Sequence, residues 1–294
     1  MNVLCLGHVV WDTTLLFEGY PMENTKNRIS NCFECGGGQA SNAAYLLGKW
    51  GMDVSIGGIV GDDKNGHKIR NELINIGVNV KYLELSNNIS TISSYIIVNS
   101  NTGSRTTLTH HPQDNKMSID ISDSYDYLLI DGQEYELSLK MIDKCKVSVI
   151  DAGRCTDEVI ELCKKVDYVV CSKDFALDYT KCSIDEMDKI FEIMNKDFKN
   201  VIITLEDKGC AYYTDRVNVI PSLKVKAIDS TGAGDIFHGA FVYGLMQGWD
   251  LPHTLLFANV TGALSVTRVG GRNSVFDCDE VRRIANEISR SNFY

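Results

Sequence analysis

Residues 229–241, DSTGAGDIFHGAF, place three small residues directly before a carboxylate and an apolar, helix-like run. The preceding KVKAI has the pattern of a strand, so residues 232–234 are predicted to form a strand-to-helix turn. The free N–H groups and the dipole at a helix N-terminus attract anions, and small residues let an anion approach the backbone. Asp235 would then stand beside a bound phosphate as a base. Alternatively, Asp229 or Asp235 caps the helix and the glycines form a plain turn.

A second glycine cluster, CGGGQASNAAYLLGKWG at residues 35–51, also leads into a helical run. The backbone N–H groups of residues 36–38 and the amide of Asn42 could bind hydroxyl groups of a small polar ligand. A glycine-rich turn before a helix is also common without any ligand. The cluster matches neither GxxxxGK[ST] nor GxGxxG, which argues against a Walker-type phosphate loop and a dinucleotide fingerprint.

The bulk properties are those of a globular protein with one large domain, or one domain with a small appendage. The chain has 294 residues, of which 44% are hydrophobic and 23% are charged. The net charge of −10 argues against a general nucleic-acid binder, because phosphate contacts need clustered Lys and Arg. No apolar run is long enough for a bilayer, and the first ten residues have the pattern of a buried strand rather than a signal peptide. With ten cysteines scattered through apolar segments, we expect a cytoplasmic protein.

Strand patterns alternate with amphipathic helix patterns along most of the chain. This alternation predicts an α/β fold with a doubly wound, mostly parallel sheet and helices on both faces. The predicted strands are residues 3–6, 127–130, 147–150, 168–170 and 201–205, and the predicted helices are residues 41–50, 66–76, 138–144, 157–164 and 184–197. The rest of the chain is predicted to be mostly helical, over residues 235–246, 251–266 and 279–289.

Two regions, residues 13–33 and 91–109, break this alternation. They contain four strand-like segments, TTLLF, RISNCF, TISSYIIV and RTTLT, without helices between them. We expect these segments to form a small, separate antiparallel sheet. Such a sheet must cover its apolar face, with a substrate cleft, another subunit, or both.

The glycine motifs carry a resemblance to a known family. GGGQASNAA followed by LGKWG, and DSTGAGDIFHGAF, resemble the two signatures of the ribokinase-like (PfkB) carbohydrate kinases. The resemblance extends over nearly the whole chain, through an early WD, IVGDDKNG, VIITLEDKG and FANVTGALSVTRVGG. It implies an ATP- and Mg²⁺-dependent sugar kinase whose core is residues 1–12, 34–90 and 110–294. Residues 13–33 and 91–109 would form a β-sheet lid, and the resemblance also suggests a homodimer through the lid because lid sheets in the family often dimerise.

The same resemblance implies roles for individual residues, each of which could instead be packing or capping. The base is Asp235 and the anion hole is Gly232, Ala233 and Gly234. The sugar is bound by Asp12, Gly37, Gly38 and Asn42. The nucleotide is bound by Thr204, Glu206, Gly209 and Asn259. A monovalent cation, K⁺, is held by backbone around Asp229, Thr231, Val266, Val269, Gly271 and Ser274.

One departure from the family pattern concerns Mg²⁺. Where many members carry Asn-x-x-Glu at a strand end, this chain has Ser172 and Phe175. Asp174 could take the place of the glutamate, or the phosphates could hold the Mg²⁺.

The motifs look most like the branch of the family that acts on ketoses and ketose derivatives. Lys26 or Arg28 could meet an anionic group on such a sugar. Gln133 argues against a sulfonate, so a neutral or amine-bearing ketose stays open. Candidate specificity residues are Tyr20, Tyr95, His110, His111, Gln133 and Glu134. The alternatives are a nucleoside kinase of the same fold and a non-catalytic sugar sensor, whereas the missing GxGxxG disfavours an oxidoreductase.

Overall fold

A computed structural model describes residues 1–29, 31–112 and 116–291. Residue 30 belongs to the range predicted for the small sheet, and residues 113–115 and 292–294 belong to the predicted core. These seven residues lie outside the described part of the chain.

The main sheet contains nine strands within the described ranges. They are β1 (Asn2–Leu6), β4 (Asp53–Gly61), β5 (Asn79–Ser86), β8 (Tyr125–Ile130), β9 (Cys145–Ala152), β10 (Tyr168–Ser172), β11 (Asn200–Thr204), β12 (Cys210–Tyr213) and β13 (Val217–Ile220). The spatial order is β13-β12-β11-β10-β9-β8-β1-β4-β5. The strands from β11 to β5 run parallel, and β12 pairs antiparallel with both β11 and β13.

Helices cover both faces of this sheet, as the sequence predicts. They are α1 (Gln39–Lys49), α2 (Lys64–Asn75), α3 (Tyr135–Ile142), α4 (Asp157–Cys163), α5 (Lys173–Thr180), α6 (Met187–Asp197), α7 (Ala233–Met246), α8 (Leu251–Ser265) and α9 (Cys278–Ser291). Side chains of β1 alternate between two cores. Val3 and Cys5 join the core under α1, α7 and α8, whereas Leu4 and Leu6 join the core under α3 to α6. Burial on both faces explains why β1 is a continuous apolar run.

Helix α7 carries the DIFHGAF motif and is largely buried. Ten of its residues are buried, so it is apolar around its whole circumference. Its Gly239 packs on helix α1, where a β-carbon would come within 3.1 Å of the Ala43 backbone. The glycine therefore lets the two helices approach closely.

The small sheet corrects one prediction. Its strands are β2 (Val10–Phe17), β3 (Cys32–Gly37), β6 (Ser93–Asn99) and β7 (Arg105–His110), in the order β3-β2-β6-β7. The two outer pairs are antiparallel as expected, but β2 and β6 are parallel, so the sheet is mixed. The reason is that β2 follows β1 and β6 follows β5. Both therefore leave the main sheet from the edge where its parallel strands end, and they run in the same direction.

Other local predictions also need correction. Residues 224–228, predicted as a strand, form no strand, and α7 is reached through an irregular segment. Strands β4, β5, β12 and β13 and helix α5 were not predicted. Strand β4 is interrupted by glycines, β12, β13 and α5 are short, and β5 mixes charged with apolar residues. Among the described residues, no helix combines the length and apolar character needed to span a membrane.

Candidate active site

The turn predicted to bind an anion opens helix α7. Gly232 is the N-cap residue with φ of +74°, a left-handed conformation that favours glycine. The N-cap makes no side-chain hydrogen bond to the first turn of the helix. Gly234 is exposed, and apart from its chain neighbours and the nearby helix backbone no described atom lies within 4 Å of the position a β-carbon would take. The start of α7 therefore offers backbone N–H groups to a ligand at an open surface.

Asp235 and Asn42 meet between the two closely packed helices. The Asn42 amide nitrogen donates a hydrogen bond of 2.8 Å to Asp235 Oδ2. Among the described residues, the buried amide oxygen of Asn42 has no hydrogen-bond partner. Gly232 and Gly271 flank this amide, and a β-carbon at either position would come within 3.4 Å of its nitrogen. The glycines therefore make room for an amide that has an acceptor left for a ligand.

Burial tunes the carboxyl group of Asp235. The pKa of Asp235 is raised from 3.8 to about 6, first by desolvation and second by the nearby charge of Asp151. The hydrogen bond from Asn42 and the charges of His238 and Arg105 act in the opposite direction. The group is thus largely ionised at neutral pH, yet it is a stronger base than a solvent-exposed aspartate.

Asp12 lies in the same electrostatic environment. It is 6% exposed on β2, and burial raises its pKa to about 7, with the charge of Asp235 as the second cause. Gly37 on β3 leaves room for it, because a β-carbon there would overlap the Asp12 carboxylate. Gly38, with φ of +93°, continues the turn against the carbonyl of His8. The four predicted sugar-side residues Asp12, Gly37, Gly38 and Asn42 thus lie on β2, β3 and the start of α1.

Arg272 organises this side of the site, and the sequence reasoning did not single it out. Its guanidinium is 3% exposed, pairs with Glu72 at 2.6 Å and donates to the Ser41 hydroxyl. Glu72 also accepts the Gly36 N–H at 2.9 Å. A β-carbon at Gly36 would overlap the guanidinium. The glycine cluster is therefore partly a requirement of Arg272, which links the end of β3 to α1 and α2.

The predicted nucleotide residues lie on β11, on α8 and in the turn between β11 and β12. Gly209, with φ of +99°, leaves no room for a side chain beside the carbonyl of Ile220. The buried Asn259 donates to that same carbonyl at 2.9 Å. Thr204 ends β11, and Glu206 pairs with Lys173 at 3.3 Å. Two of these four residues thus also hold the backbone together.

The two segments predicted to hold a monovalent cation are neighbours. Asp229 is 1% exposed, and its oxygens accept the N–H groups of Thr231 at 2.9 Å and Gly270 at 2.8 Å. The Val266 carbonyl accepts the N–H groups of Ile228 and Asp229 at 2.7 and 3.1 Å. The Asp229 carboxylate therefore fastens the turn before α7 to the loop after α8.

The other polar atoms of this loop differ in whether they already make a hydrogen bond. The Gly271 carbonyl accepts a hydrogen bond of 2.6 Å from the Ser274 hydroxyl. Val269 is half-buried. The buried Thr231 hydroxyl has no hydrogen-bond partner in the described ranges. No cluster of three or more His, Cys, Asp or Glu that could hold a metal ion occurs in the described ranges.

The position where the family pattern expects a glutamate is part of the core. Phe175 is 1% exposed and stacks with Tyr179. Ser172 caps helix α5 by accepting the Phe175 N–H at 3.0 Å. Asp174 is exposed on the first turn of that helix. Ser172 and Phe175 therefore serve the local fold, and Asp174 is the acidic side chain left at this strand end.

The small sheet contacts the loop that leads into α7. Arg105 on β7 donates to the Ser230 carbonyl at 2.8 Å and to its hydroxyl at 2.7 Å. The Ser230 N–H donates to the Gly103 carbonyl at 3.2 Å. The β6–β7 hairpin therefore touches the residue that precedes Thr231 and the glycine turn.

The candidate specificity residues are scattered. Tyr95 is paired with Thr13 and lies on the face of the small sheet opposite Asp12, so it does not face the predicted sugar site. His111 stacks on His8 with ring centroids 5.9 Å apart. Tyr20, Lys26, Arg28 and His110 are exposed, whereas Gln133 follows β8 and Glu134 is buried with one oxygen accepting the Met117 N–H. Burial raises the pKa of Glu134 to about 7.

Several site residues were missed by the sequence reasoning: His8, Arg105, Asp131, Asp151, His238 and Arg272. For Asp131 and Asp151 a signal exists, because they stand at the ends of parallel strands β8 and β9, where ligand sites in such sheets lie. Asp131 accepts the N–H groups of His8 and Ala40 at 2.7 and 3.2 Å. His238 lies inside the motif of residues 229–241, where the apolar helix pattern gave no reason to single it out. His8, Arg105 and Arg272 lie in other parts of the chain, and no local pattern indicates them.

Comparison with known proteins gives matches over nearly the whole chain. The family model described as pfkB family carbohydrate kinase matches residues 1–278. An ATP-dependent ribose-1-phosphate kinase from Halopiger xanaduensis is 26% identical, covering 93% of this chain and 95% of that protein. A nucleoside kinase from Methanocaldococcus jannaschii is 24% identical, covering 95% of each.

Solved structures match the fold closely. A protein from Agrobacterium tumefaciens described as a ribokinase superimposes with a TM-score of 0.90 at 23% identity, covering 98% of both chains. A protein from E. coli described as ribokinase II, in complex with ATP and Mg²⁺, gives a TM-score of 0.80 at 19% identity, covering 97% of this chain and 99% of that one. At these identities the matches show the fold.

The raised pKa of Asp235 predicts a pH-dependent effect on stability. A carboxyl group whose folded pKa is raised stabilises the fold below its unfolded pKa, and this contribution is lost as the pH rises through the folded pKa, here from about 4 to about 6. Asp235→Asn should therefore melt at a higher temperature than wild type at pH 8, because the variant does not bury a charged carboxylate. The difference in melting temperature should be about 2–4 °C for each kcal/mol that this burial costs, and it should be smaller at pH 5.

Differential scanning fluorimetry of the unliganded protein at both pH values measures this gap. Asp174→Asn makes the same change at an exposed position, and its effect should be equal at pH 5 and pH 8. A variant at position 235 that is less stable than wild type at pH 8 would mean that the hydrogen bond from Asn42 outweighs the cost of burial.

Proposed function

Because this chain belongs to the pfkB family of carbohydrate kinases, we propose that it transfers the γ-phosphate of ATP to a hydroxyl group of a small sugar, a ketose or ketose derivative. Asp235 is the base, and Gly232, Ala233 and Gly234 form the anion hole. The observation that carries this proposal is the position of Asp235 on the first turn of α7, hydrogen-bonded to Asn42 and beside an open, uncapped helix start.

The base takes the proton from the attacking hydroxyl group. As the sugar oxygen forms its bond to the γ-phosphorus, the bond to the bridging oxygen breaks and ADP leaves with that electron pair. The pKa of about 6 suits this role, because the carboxylate is ionised at pH 7 and still accepts a proton effectively. Its hydrogen bond from Asn42 holds the second oxygen and fixes the orientation of the carboxylate.

The anion hole acts on charge rather than on covalent bonds. Phosphoryl transfer spreads negative charge over the equatorial oxygens of the transferred group, so catalysis is mainly positioning and electrostatic stabilisation. Backbone N–H groups at the start of α7, together with its helix dipole, can meet that charge without reorganising. Gly234 keeps this surface free of side chains.

Sugar binding is assigned to Asp12, Gly37, Gly38 and Asn42. The Asp12 carboxyl, with a pKa of about 7, can donate to or accept from sugar hydroxyls, and the free amide oxygen of Asn42 can accept from one. The nucleotide is assigned to Thr204, Glu206, Gly209 and Asn259, around the turn fixed by Ile220. Mg²⁺ bound to ATP would neutralise phosphate charge, and Asp174 is the residue that would hold it or its waters.

ADP release measures this activity, with Mg-ATP and a panel of ketoses, aldoses, sugar acids, sugar phosphates, fructosamines and nucleosides. We expect a ketose or ketose derivative to give the highest turnover, and Asp235→Asn to lower kcat by about 10²–10⁴-fold, because general-base catalysis contributes about this much. The variant should still bind the sugar, because asparagine retains an oxygen that can accept from Asn42.

The matched control is Asp174→Asn, which should change the Mg²⁺ concentration needed for half-maximal rate more than kcat at saturating Mg²⁺. If a nucleoside is the best acceptor, the chain is a nucleoside kinase, which is the alternative substrate class, and not a sugar kinase. If wild type and Asp235→Asn are equally inactive while a sugar binds, the chain is a sugar sensor and the proposal fails.

A monovalent cation is a second element of the proposal. We assign K⁺ to the loop formed by Asp229, Thr231, Val266, Val269, Gly271 and Ser274. The buried Asp229 carboxylate and the unpartnered Thr231 hydroxyl support it, because a cation beside them would offset a buried charge and use a free oxygen. This loop is fastened to the turn before α7, so an ion there would stabilise the anion hole.

If K⁺ binds there, turnover and melting temperature should both be higher in KCl than in tetramethylammonium chloride at equal ionic strength. Asp229→Asn should reduce the difference between the two salts, since an uncharged side chain attracts the cation less. Equal rates and equal melting temperatures in the two salts would remove K⁺ from the proposal.

Residues 13–33 and 91–109, which contain most of the small sheet, are assigned the role of a lid that excludes water from the sugar and pairs with a second copy of the chain. Tyr95 and Leu108, cross-strand partners on its outer face, are 51% and 59% exposed. Such a face is more stable when covered.

Sedimentation velocity at micromolar concentration should therefore show a dimer, and Leu108→Glu should shift it to monomer. Val219→Glu places the same charge on an exposed apolar residue of the main sheet and should leave the dimer intact. A monomeric wild type would contradict the pairing.

A further inference from the structure

His238 follows Asp235 by about one turn of α7 and is 4% exposed. Its ring is surrounded by oxygen atoms on both sides. Nδ1 lies 2.6 Å from the Gly234 carbonyl oxygen and 3.3 Å from Asp151 Oδ2. Nε2 lies 3.1 Å from the Val170 carbonyl oxygen on β10. Each ring nitrogen is thus within hydrogen-bond distance of a carbonyl oxygen.

These contacts determine the protonation state that fits. A neutral imidazole has one N–H donor and one lone pair, whereas carbonyl oxygens only accept. In either neutral tautomer one nitrogen would turn its lone pair toward an oxygen at 2.6 or 3.1 Å, in a buried site where an unmade hydrogen bond is costly. The imidazolium form donates on both sides, and Asp151, 7% exposed, supplies the opposite charge.

We propose that His238 is a positioning residue for phosphoryl transfer. As a buried imidazolium it fixes the carbonyl of Gly234 in the anion-hole turn and offsets the charge of Asp151 beside the base. This proposal rests on the function proposed above, and it adds a role for a residue that touches neither the sugar nor the nucleotide.

The first part of this role is geometric. Gly234 has no side chain to hold it, and the space beside it is open. Its carbonyl is held by His238 Nδ1, while Nε2 of the same ring holds the carbonyl of Val170 in the sheet. The first turn of α7 is thereby joined to β10, which limits the motion of the N–H groups that face the phosphate. Preorganised donors stabilise developing charge because they do not need to reorient during the reaction.

The second part of the role is electrostatic, and it involves every charged group that faces His238 and Asp151. Asp151 on β9 lies against His238, with Asp131 after β8 beyond it. Burial raises the pKa of Asp151, the charge of His238 lowers it and Asp131 raises it. On the other side stand Asp235 on α7 itself and Arg105 on β7. Without the imidazolium, the Asp151 charge would act on Asp235 unopposed by His238 and favour its protonated form.

Four variants separate the two parts: His238→Phe, His238→Asn, Asp151→Asn and the double variant His238→Phe/Asp151→Asn. Phenylalanine keeps the ring shape but loses both hydrogen bonds and the charge. Asparagine can place an N–H near the position of Nδ1, so it can keep the bond to Gly234 without the charge. The kinetic readout is the pH profile of kcat with the best acceptor of the panel.

We expect His238→Phe to lower kcat by about 10–100-fold, less than the loss of a direct oxyanion donor, and to move the acid limb of the profile upward by about one pH unit. His238→Asn should recover part of kcat and keep the shifted limb. In the double variant the acid limb should return toward its wild-type position, because the Asp151 charge that the imidazolium offsets is also removed. The control is His67, an exposed histidine that is paired with Asp62 at 2.7 Å. His67→Phe should change neither kcat nor the position of the acid limb.

Nitrogen-15 NMR of the histidine rings in the wild-type protein tests the protonation state independently of activity. We expect the His238 ring, assigned by its loss in His238→Asn, to show two protonated nitrogens at pH 7.5. A neutral tautomer overturns the inference even if the chain is an active kinase. An imidazolium in a protein without kinase activity would leave the ion pair standing and refute the proposed function alone. An unshifted acid limb in a folded His238→Phe, or no recovery of the limb in the double variant, overturns the electrostatic part.

Discussion

The close packing of helix α1 on helix α7 is the constraint on which the site depends. Helix α1 carries Asn42, and α7 carries Asp235 at its first turn, so their hydrogen bond requires the two helices to be in near contact. Gly239 allows this contact, because a β-carbon there would press on the Ala43 backbone. Both helices lie over the same core of the main sheet. The proposed sugar side and the proposed phosphate side of the site are therefore built from one packed layer, and a change in helix spacing would move one relative to the other.

A second property of the site is the number of carboxyl groups that it buries. Asp12, Asp151 and Asp235 each have a raised pKa with burial as the first cause. Placing acids near one another without water destabilises the fold unless donors and cations compensate. Here Arg272 supplies a buried positive group on one side, and the proposed imidazolium of His238 would supply a second on the other. The basicity of Asp235 follows from this balance, since full compensation would lower its pKa and no compensation would keep it protonated.

The sequence predicted the parts of this arrangement that depend on local pattern. Residues that are close together in the chain predict the helix start at the second glycine motif, the parallel core with helices on both faces, and the family. The fold class and the family are confirmed. The parallel pairing of β2 with β6 could not be predicted in this way, because it depends on which edge of the main sheet each strand leaves. Contacts such as Arg272 with Ser41 join residues from opposite ends of the chain. They become visible only when the fold brings these residues together.

The small sheet is connected by hydrogen bonds to the turn proposed as the anion hole, and this connection follows from the same topology. The β6–β7 hairpin reaches Ser230 through the Gly103 carbonyl and the Arg105 guanidinium. Ser230 lies between Asp229, which binds the loop after α8, and Thr231, which leads into Gly232. A movement of the hairpin would therefore be transmitted to the start of α7 through only a few backbone bonds. Because Arg105 also lowers the pKa of Asp235 by its charge, withdrawing the hairpin would favour the protonated, inactive form of the proposed base. Closure of the small sheet and readiness of the base would then be linked by one arginine.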